Sequence, residues 1–234
     1  MATLSEKLAD VNRRIERACM RAGRTPDTVA LVAVTKTIPA EIIQAAIDAG
    51  VRLVGENKVQ EASAKLGQVR GDVAWHMLGH LQRNKVKKAV VLFDMIQSVD
   101  SEDLAVEMDK RAAELGRVMD VLVEVNTSGE DTKFGARPED CIDLVGKMSH
   151  LRHISVRGLM TVGAFTPCEE IVRTGFRLLR DLRDAIRRAN IEHVRMDFLS
   201  MGMTSDFEMA IEEGANMVRI GTAIFGERRG LPAT

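Results

Sequence analysis

The chain contains no tyrosine, a single tryptophan and only 3% aromatic residues. With no phenol available, any chemistry that needs a tyrosine as acid or base is closed to it. Cysteine is also scarce. Cys19, Cys141 and Cys168 lie far apart with no paired spacing, which fits neither a disulfide framework nor a zinc site. Reduced structural thiols are expected, and no metal ligands are assigned. A surplus of one charge is missing too: 33 Lys and Arg against 34 Asp and Glu leave a net charge of −1, so no chain-wide field draws the protein to nucleic acid or to an anionic membrane. No apolar run approaches the roughly 20 residues that span a bilayer. The opening residues Met1 to Leu8 lack the charged-then-apolar form of a secretory leader. The expectation is a soluble, cytoplasmic protein. No Gly/Ser linker divides the 234 residues, so one domain spanning 1–234 is expected.

What the sequence does contain is a rhythm. From Thr3 to about Arg21, Leu4, Leu8, Val11, Ile15 and Ala18 recur at helical spacing, and Thr3 with Glu6 makes a capping box. This predicts an N-terminal helix within residues 1–22, packed on the body of the domain. Beyond it, short β-branched apolar runs alternate with helical stretches of about a dozen residues, the pattern of parallel strands joined by crossover helices. The predicted strands are Val29–Thr35, Val51–Val54, Ala74–Leu78, Met95–Ser98, Met119–Asn126, Val156–Thr161, Asp197–Ser200 and Met217–Ile220. Eight is the number that closes a (β/α)8 TIM barrel, and their continuous hydrophobicity suits strands covered on both faces.

Active sites of such barrels lie at the C-terminal strand ends. There the first strand delivers Lys36, the second Glu56 and Asn57, the third His76 and His80, the fifth Asn126, and the sixth Met160 and Thr161. Strands seven and eight end in Ser200-Met201-Gly202 and in Gly221-Thr222. Hydroxyls and unobstructed amides at two adjacent strand ends suit a phosphate. Lys36 follows an apolar run, and partial desolvation would lower its pKa toward that of a nucleophilic amine. The ordinary reading of a strand-end lysine is a side chain snorkelling to the rim, but the phosphate site opposite favours a phosphorylated aldehyde held as a Schiff base. Arg219, two residues before Gly221, should face inward with it, toward a ligand or a core acid. His76 and His80 are separated by Gly79 and lack a zincin pattern, so His80 reads as a residue near the ligand.

At these residues the chain resembles the pyridoxal phosphate homeostasis proteins, single-domain relatives of the barrel domain of alanine racemase. The resemblance rests on Ala33-Val34-Thr35-Lys36, Gly55-Glu56-Asn57-Lys58-Val59-Gln60-Glu61, Trp75-His76-Met77-Leu78-Gly79-His80-Leu81-Gln82, Gly158-Leu159-Met160, Leu199-Ser200-Met201-Gly202-Met203 and Val218-Arg219-Ile220-Gly221-Thr222. It implies a barrel of the pyridoxal-phosphate-binding type. Lys36 would form the Schiff base, Ser200, Gly221 and Thr222 would hold the phosphate, Arg219 would face the pyridine nitrogen, and Asn57 would lie close by. Lys58 and Arg83 stand where many relatives carry an aromatic and a small polar residue. The function implied is a monomeric carrier of pyridoxal 5′-phosphate that passes it to apo-enzymes. An arginine cannot give the ring nitrogen the proton a carboxylic acid would, and the tyrosine a two-domain racemase uses is absent. The alternatives are a racemase or decarboxylase using His80 or Cys141, a Schiff-base aldolase, and a pure interaction protein.

Overall fold

A computed structural model describes residues 2–227; the remainder of the expected 1–234 span lies outside the described residues. Helix α1 (Leu4–Arg21) starts where Thr3 Oγ1 accepts from the Glu6 amide (3.2 Å) and Glu6 Oε2 accepts from the Thr3 amide (2.7 Å). These reciprocal bonds satisfy two donors that a bare helix end would leave open. Its buried stripe is Leu8, Val11, Ile15, Ala18 and Cys19.

From there the chain alternates strand and helix. The order is β1 (Ala30–Val34), α2 (Ala40–Asp48), β2 (Leu53–Glu56), α3 (Val59–Lys65), β3 (Ala74–Met77), α4 (Val86–Leu92), β4 (Met95–Val99) and α5 (Glu102–Glu114). It continues with β5 (Met119–Glu124), α6 (Cys141–Met148), β6 (Ile154–Met160), α7 (Glu169–Ala189), β7 (Val194–Ser200), α8 (Phe207–Glu212), β8 (Met217–Ile220) and α9 (Thr222–Phe225). The strands form a closed parallel barrel, β1-β2-β3-β4-β5-β6-β7-β8, in which Val32 registers with Leu53 on one side and with Arg219 on the other. This is the (β/α)8 architecture the strand rhythm predicts. Helix α1 packs against α8, where Arg14 donates to both carboxylate oxygens of Glu208 at 3.1 and 2.9 Å. Among the described residues, short α9 is an α-helix that the sequence pattern does not suggest.

Two hydrophobic layers arise from strand alternation. The outward-facing residues join the helices in one large core, and a smaller cluster of Val32, Leu78, Met95, Leu122, Met160 and Met217 fills the barrel. Toward the N-terminal side of that plug, Arg157 bonds Asp120 and also donates to Asp197 (2.9 and 3.0 Å). No helix among the described residues is long and apolar enough to cross a membrane.

Candidate functional site

Toward the C-terminal mouth the barrel interior becomes polar. Arg219 on β8 is only 4% exposed, and its guanidinium donates to Ser200 Oγ (2.6 Å) and to the Thr161 carbonyl (2.6 Å). Ser200 Oγ in turn donates to Gln97 Oε1 (2.6 Å), which turns the Gln97 amide nitrogen toward His76 Nδ1 at 2.8 Å. That nitrogen must therefore accept, which assigns the ring proton to Nε2. Burial pushes the imidazole pKa down to about 4, so His76 is neutral. Burial also pushes Arg219 down to about 10, opposed by the negative charges of Glu124 and Asp206. At neutral pH the guanidinium keeps its proton.

Glu124, at the end of β5, shares the inward face of Leu122 and is 5% exposed. Desolvation and the nearby Asp100 carboxylate, against the pull of Arg219, push its carboxyl up to about 7. Its Oε2 is buried with no hydrogen-bond partner among the described residues. The sequence pattern does not single it out.

Above Arg219 opens a cavity of about 340 Å³ whose lining includes Lys36, Arg219, Gly221 and Thr222. Lys36, Arg219, Gly221 and Thr222, all expected at the site, thus converge. Thr204 and Ser205 join them; neither is among the expected site residues, though both hydroxyls lie immediately beyond the Gly202 turn. Gly202 makes that turn with φ +93°, and a Cβ there would stand 2.6 Å from Ala210 Cβ and 2.8 Å from Phe207 Cα. Its carbonyl accepts from the Arg219 amide at 3.0 Å, tying the β7 loop to β8. Gly221 is needed for another reason: a Cβ would come within 3.3 Å of the Val34 carbonyl oxygen, crowding the end of β1.

The remaining expected residues sit elsewhere. Ser200 is fully buried and committed to Gln97 and Arg219, one layer below the cavity. Met160 belongs to the apolar plug. Asn57 is half-buried and its carbonyl packs against Gly79, where a Cβ would come within 2.4 Å. His80 stacks on Phe134 with ring centroids 3.8 Å apart and lies 3.3 Å from Asp100. Cys141 is on α6 outside the barrel, its thiol pushed up to about 12 by burial. Neither His80 nor Cys141 lines the cavity.

A larger cavity of about 660 Å³ adjoins this one and shares Phe165, Met203 and Ser205 with it, but Lys36 and Arg219 do not reach it. The smaller cavity is therefore the one that brings an amine and a guanidinium together. Among its described lining residues are two cationic side chains, three hydroxyls and no carboxylate. That donor set suits an anion bearing a group that reacts with an amine, and a phosphorylated aldehyde such as pyridoxal phosphate meets both conditions. The position, between the loops after strands seven and eight and the start of a short extra helix, is the one where barrels of this kind hold phosphate.

Comparison with known proteins is consistent with this geometry. The family model described as alanine racemase, N-terminal domain, matches residues 7–229. A pyridoxal phosphate homeostasis protein of Aquifex aeolicus is 44% identical over 225 residues, covering 96% of this chain and 98% of that protein. A crystal structure described as an unknown protein from Bifidobacterium adolescentis superimposes with a TM-score of 0.92 at 41% identity, covering 95% of this chain and 94% of that one. PipY of Synechococcus elongatus, solved with PLP bound, superimposes with a TM-score of 0.84 at 36% identity, covering 96% of this chain and all of PipY (100%).

Proposed function

This chain belongs to the pyridoxal phosphate homeostasis proteins, within the alanine racemase N-terminal domain family, and from that membership we propose that it binds pyridoxal 5′-phosphate reversibly and serves as a reservoir for it. The observation that carries the reading is the cavity in which an amine, a guanidinium and three hydroxyls converge, with no carboxylate among its described lining residues. When bound, the cofactor supplies an aldehyde that combines reversibly with an amine.

The chain's own residues set the rest. Lys36 presents its amine from the end of β1. Thr204, Ser205 and Thr222 offer hydroxyls to an anionic tail, and Gly221 lets the backbone come close. Ser200 acts from below, fixing the plane of the Arg219 guanidinium. Arg219, protonated at neutral pH, would offer a ring nitrogen a donor that does not surrender its proton, so the residues favour holding the cofactor over building carbanions on it. With His80 and Cys141 away from the cavity and tyrosine missing, its described lining offers no second acid or base. In this reading the protein limits free aldehyde and delivers the cofactor to apo-enzymes by transient contact.

The test is the absorption spectrum of the purified protein with pyridoxal phosphate, before and after borohydride, followed by peptide mass spectrometry. A borohydride-sensitive visible band with the added mass on Lys36 is expected, and both vanish in Lys36→Ala. An unmodified Lys36 in the reduced protein refutes the assignment. Exchange of amino-acid α-protons in deuterated water at about 1 per second or faster would instead establish an enzyme.

A further inference from the structure

Lys36 occupies an unusual turn. The Ile38 amide donates to the Thr35 carbonyl (2.9 Å), closing a four-residue turn with Lys36 second and Thr37 third. Thr37 has φ +65°. A positive φ at the third position marks the turns that ordinarily take glycine or asparagine, and a β-branched residue is strained there. Strain of this kind persists only where the surroundings over-determine it.

Here the surroundings are two residues of α3. Glu61 Oε2 accepts from the Thr37 amide (2.9 Å) and lies 3.4 Å from Lys65 Nζ. Lys65 Nζ donates to the Thr35 carbonyl (2.9 Å) and to Glu56 Oε1 (2.9 Å), and Thr35 Oγ1 donates to that same Glu56 oxygen (2.6 Å). All three donors of the ammonium are thereby used. The backbone is gripped on both sides of Lys36, once through Thr35 and once through Thr37, by a single ion-pair network whose Lys65 side chain is only 12% exposed. Nothing in this network lines the cavity.

The geometry points to Glu61 and Lys65 as positioning residues that hold the Lys36 turn in its strained form and so aim the lysine amine into the anion cavity. The inference rests on the proposed role of Lys36. Condensation with an aldehyde replaces C=O by C=N, and both N–H hydrogens of the neutral amine leave with the carbonyl oxygen as water. The equilibrium therefore depends on where the amine is held. The hydroxyls and the close backbone approach offered to the phosphate tail come from the loops after β7 and β8, outside the turn.

The experiment compares pyridoxal 5′-phosphate with pyridoxine 5′-phosphate, the alcohol analogue that cannot condense, on the full-length protein stripped of ligand. Glu61→Ala should weaken the aldehyde about tenfold or more and the alcohol by less than about twofold. Glu61→Gln, which keeps an acceptor for the Thr37 amide, should stay within about threefold of wild type for both. Thr37→Asn tolerates the left-handed conformation and should restore the Glu61→Ala protein to within about threefold. Lys65→Met should match Glu61→Ala. Binding of the alcohol serves as the control that each variant is folded. Equal weakening of both ligands by Glu61→Ala, unchanged aldehyde affinity, or no restoration by Thr37→Asn overturns the positioning role while leaving the cofactor reading intact. Wild-type protein that binds neither ligand overturns both.

Discussion

Replacing Glu124 by Gln tests whether the barrel interior holds a carboxyl that is protonated near neutrality. The pKa is raised from 4.5 to about 7 on folding, chiefly by desolvation. A group whose folded pKa exceeds its unfolded one costs nothing below about pH 4.5, where both states are protonated. The cost grows as pH rises, because the unfolded chain releases the proton first, and it levels off above about pH 7. At 1.36 kcal/mol per pKa unit the full penalty is about 3 kcal/mol, of which about 2.5 develops between pH 5 and pH 8. Glu124→Gln removes this dependence. Its amide, placed where Oε2 has no partner, adds a penalty of about 1–3 kcal/mol that does not vary with pH. The difference in melting temperature, variant minus wild type, should therefore rise by about 5–10 °C from pH 5 to pH 8 for a chain of this size. Calorimetry of the ligand-free proteins in buffers spanning that range reads it directly, since other titrating groups cancel in the difference. A flat difference would refute the buried, proton-holding carboxyl and with it the electrostatic account of Arg219.

The same geometry sets three further outcomes. Ser200→Ala should cost about 1–3 kcal/mol of stability by breaking the link between Gln97 and Arg219, whereas Ser205→Ala should leave the melting temperature alone and weaken pyridoxal phosphate about five- to tenfold; the reverse pattern in titration and melting would place the phosphate hydroxyl at Ser200. Gly202→Ala, forced into φ +93° against Ala210 and Phe207, should lose about 2–5 kcal/mol in denaturant unfolding, and an unchanged midpoint would refute that packing. In native protein at pH 8, Ellman's reagent should titrate one thiol, the exposed Cys168, while the buried Cys19 and Cys141 react only after unfolding; rapid loss of two thiols would contradict the burial.

Much of the architecture is legible in the residues. All eight barrel strands overlap the eight short runs predicted for them, because strands buried on both faces need no alternation to announce themselves. Boundaries differ by a few residues: β2 runs to Glu56 and β7 begins at Val194, as backbone pairing continues through polar side chains. The anion cavity is half legible. Lys36, Arg219, Gly221 and Thr222 carry recognisable chemistry at strand ends and do line it. Thr204 and Ser205 belong to the same small, hydroxyl-bearing stretch, but the turn at Gly202 determines which hydroxyls beyond it come round to face β8.

By itself, then, the sequence determined the strand and helix rhythm, the capped first helix, the absence of tyrosine and a lysine placed at a strand end, since each depends on residue type and spacing alone. Only the tertiary structure decided that Ser200 lies below the cavity, that Glu124 and Gln97 turn inward, and that α3 grips the turn bearing Lys36. The reason is geometric. Register shifts interrupt the pairing of β4 with β5, β5 with β6 and β6 with β7, so counting by twos along one strand no longer gives the height or facing of its neighbour's side chains. Contacts such as Ser200 with Gln97, 103 residues apart, arise only when the barrel closes.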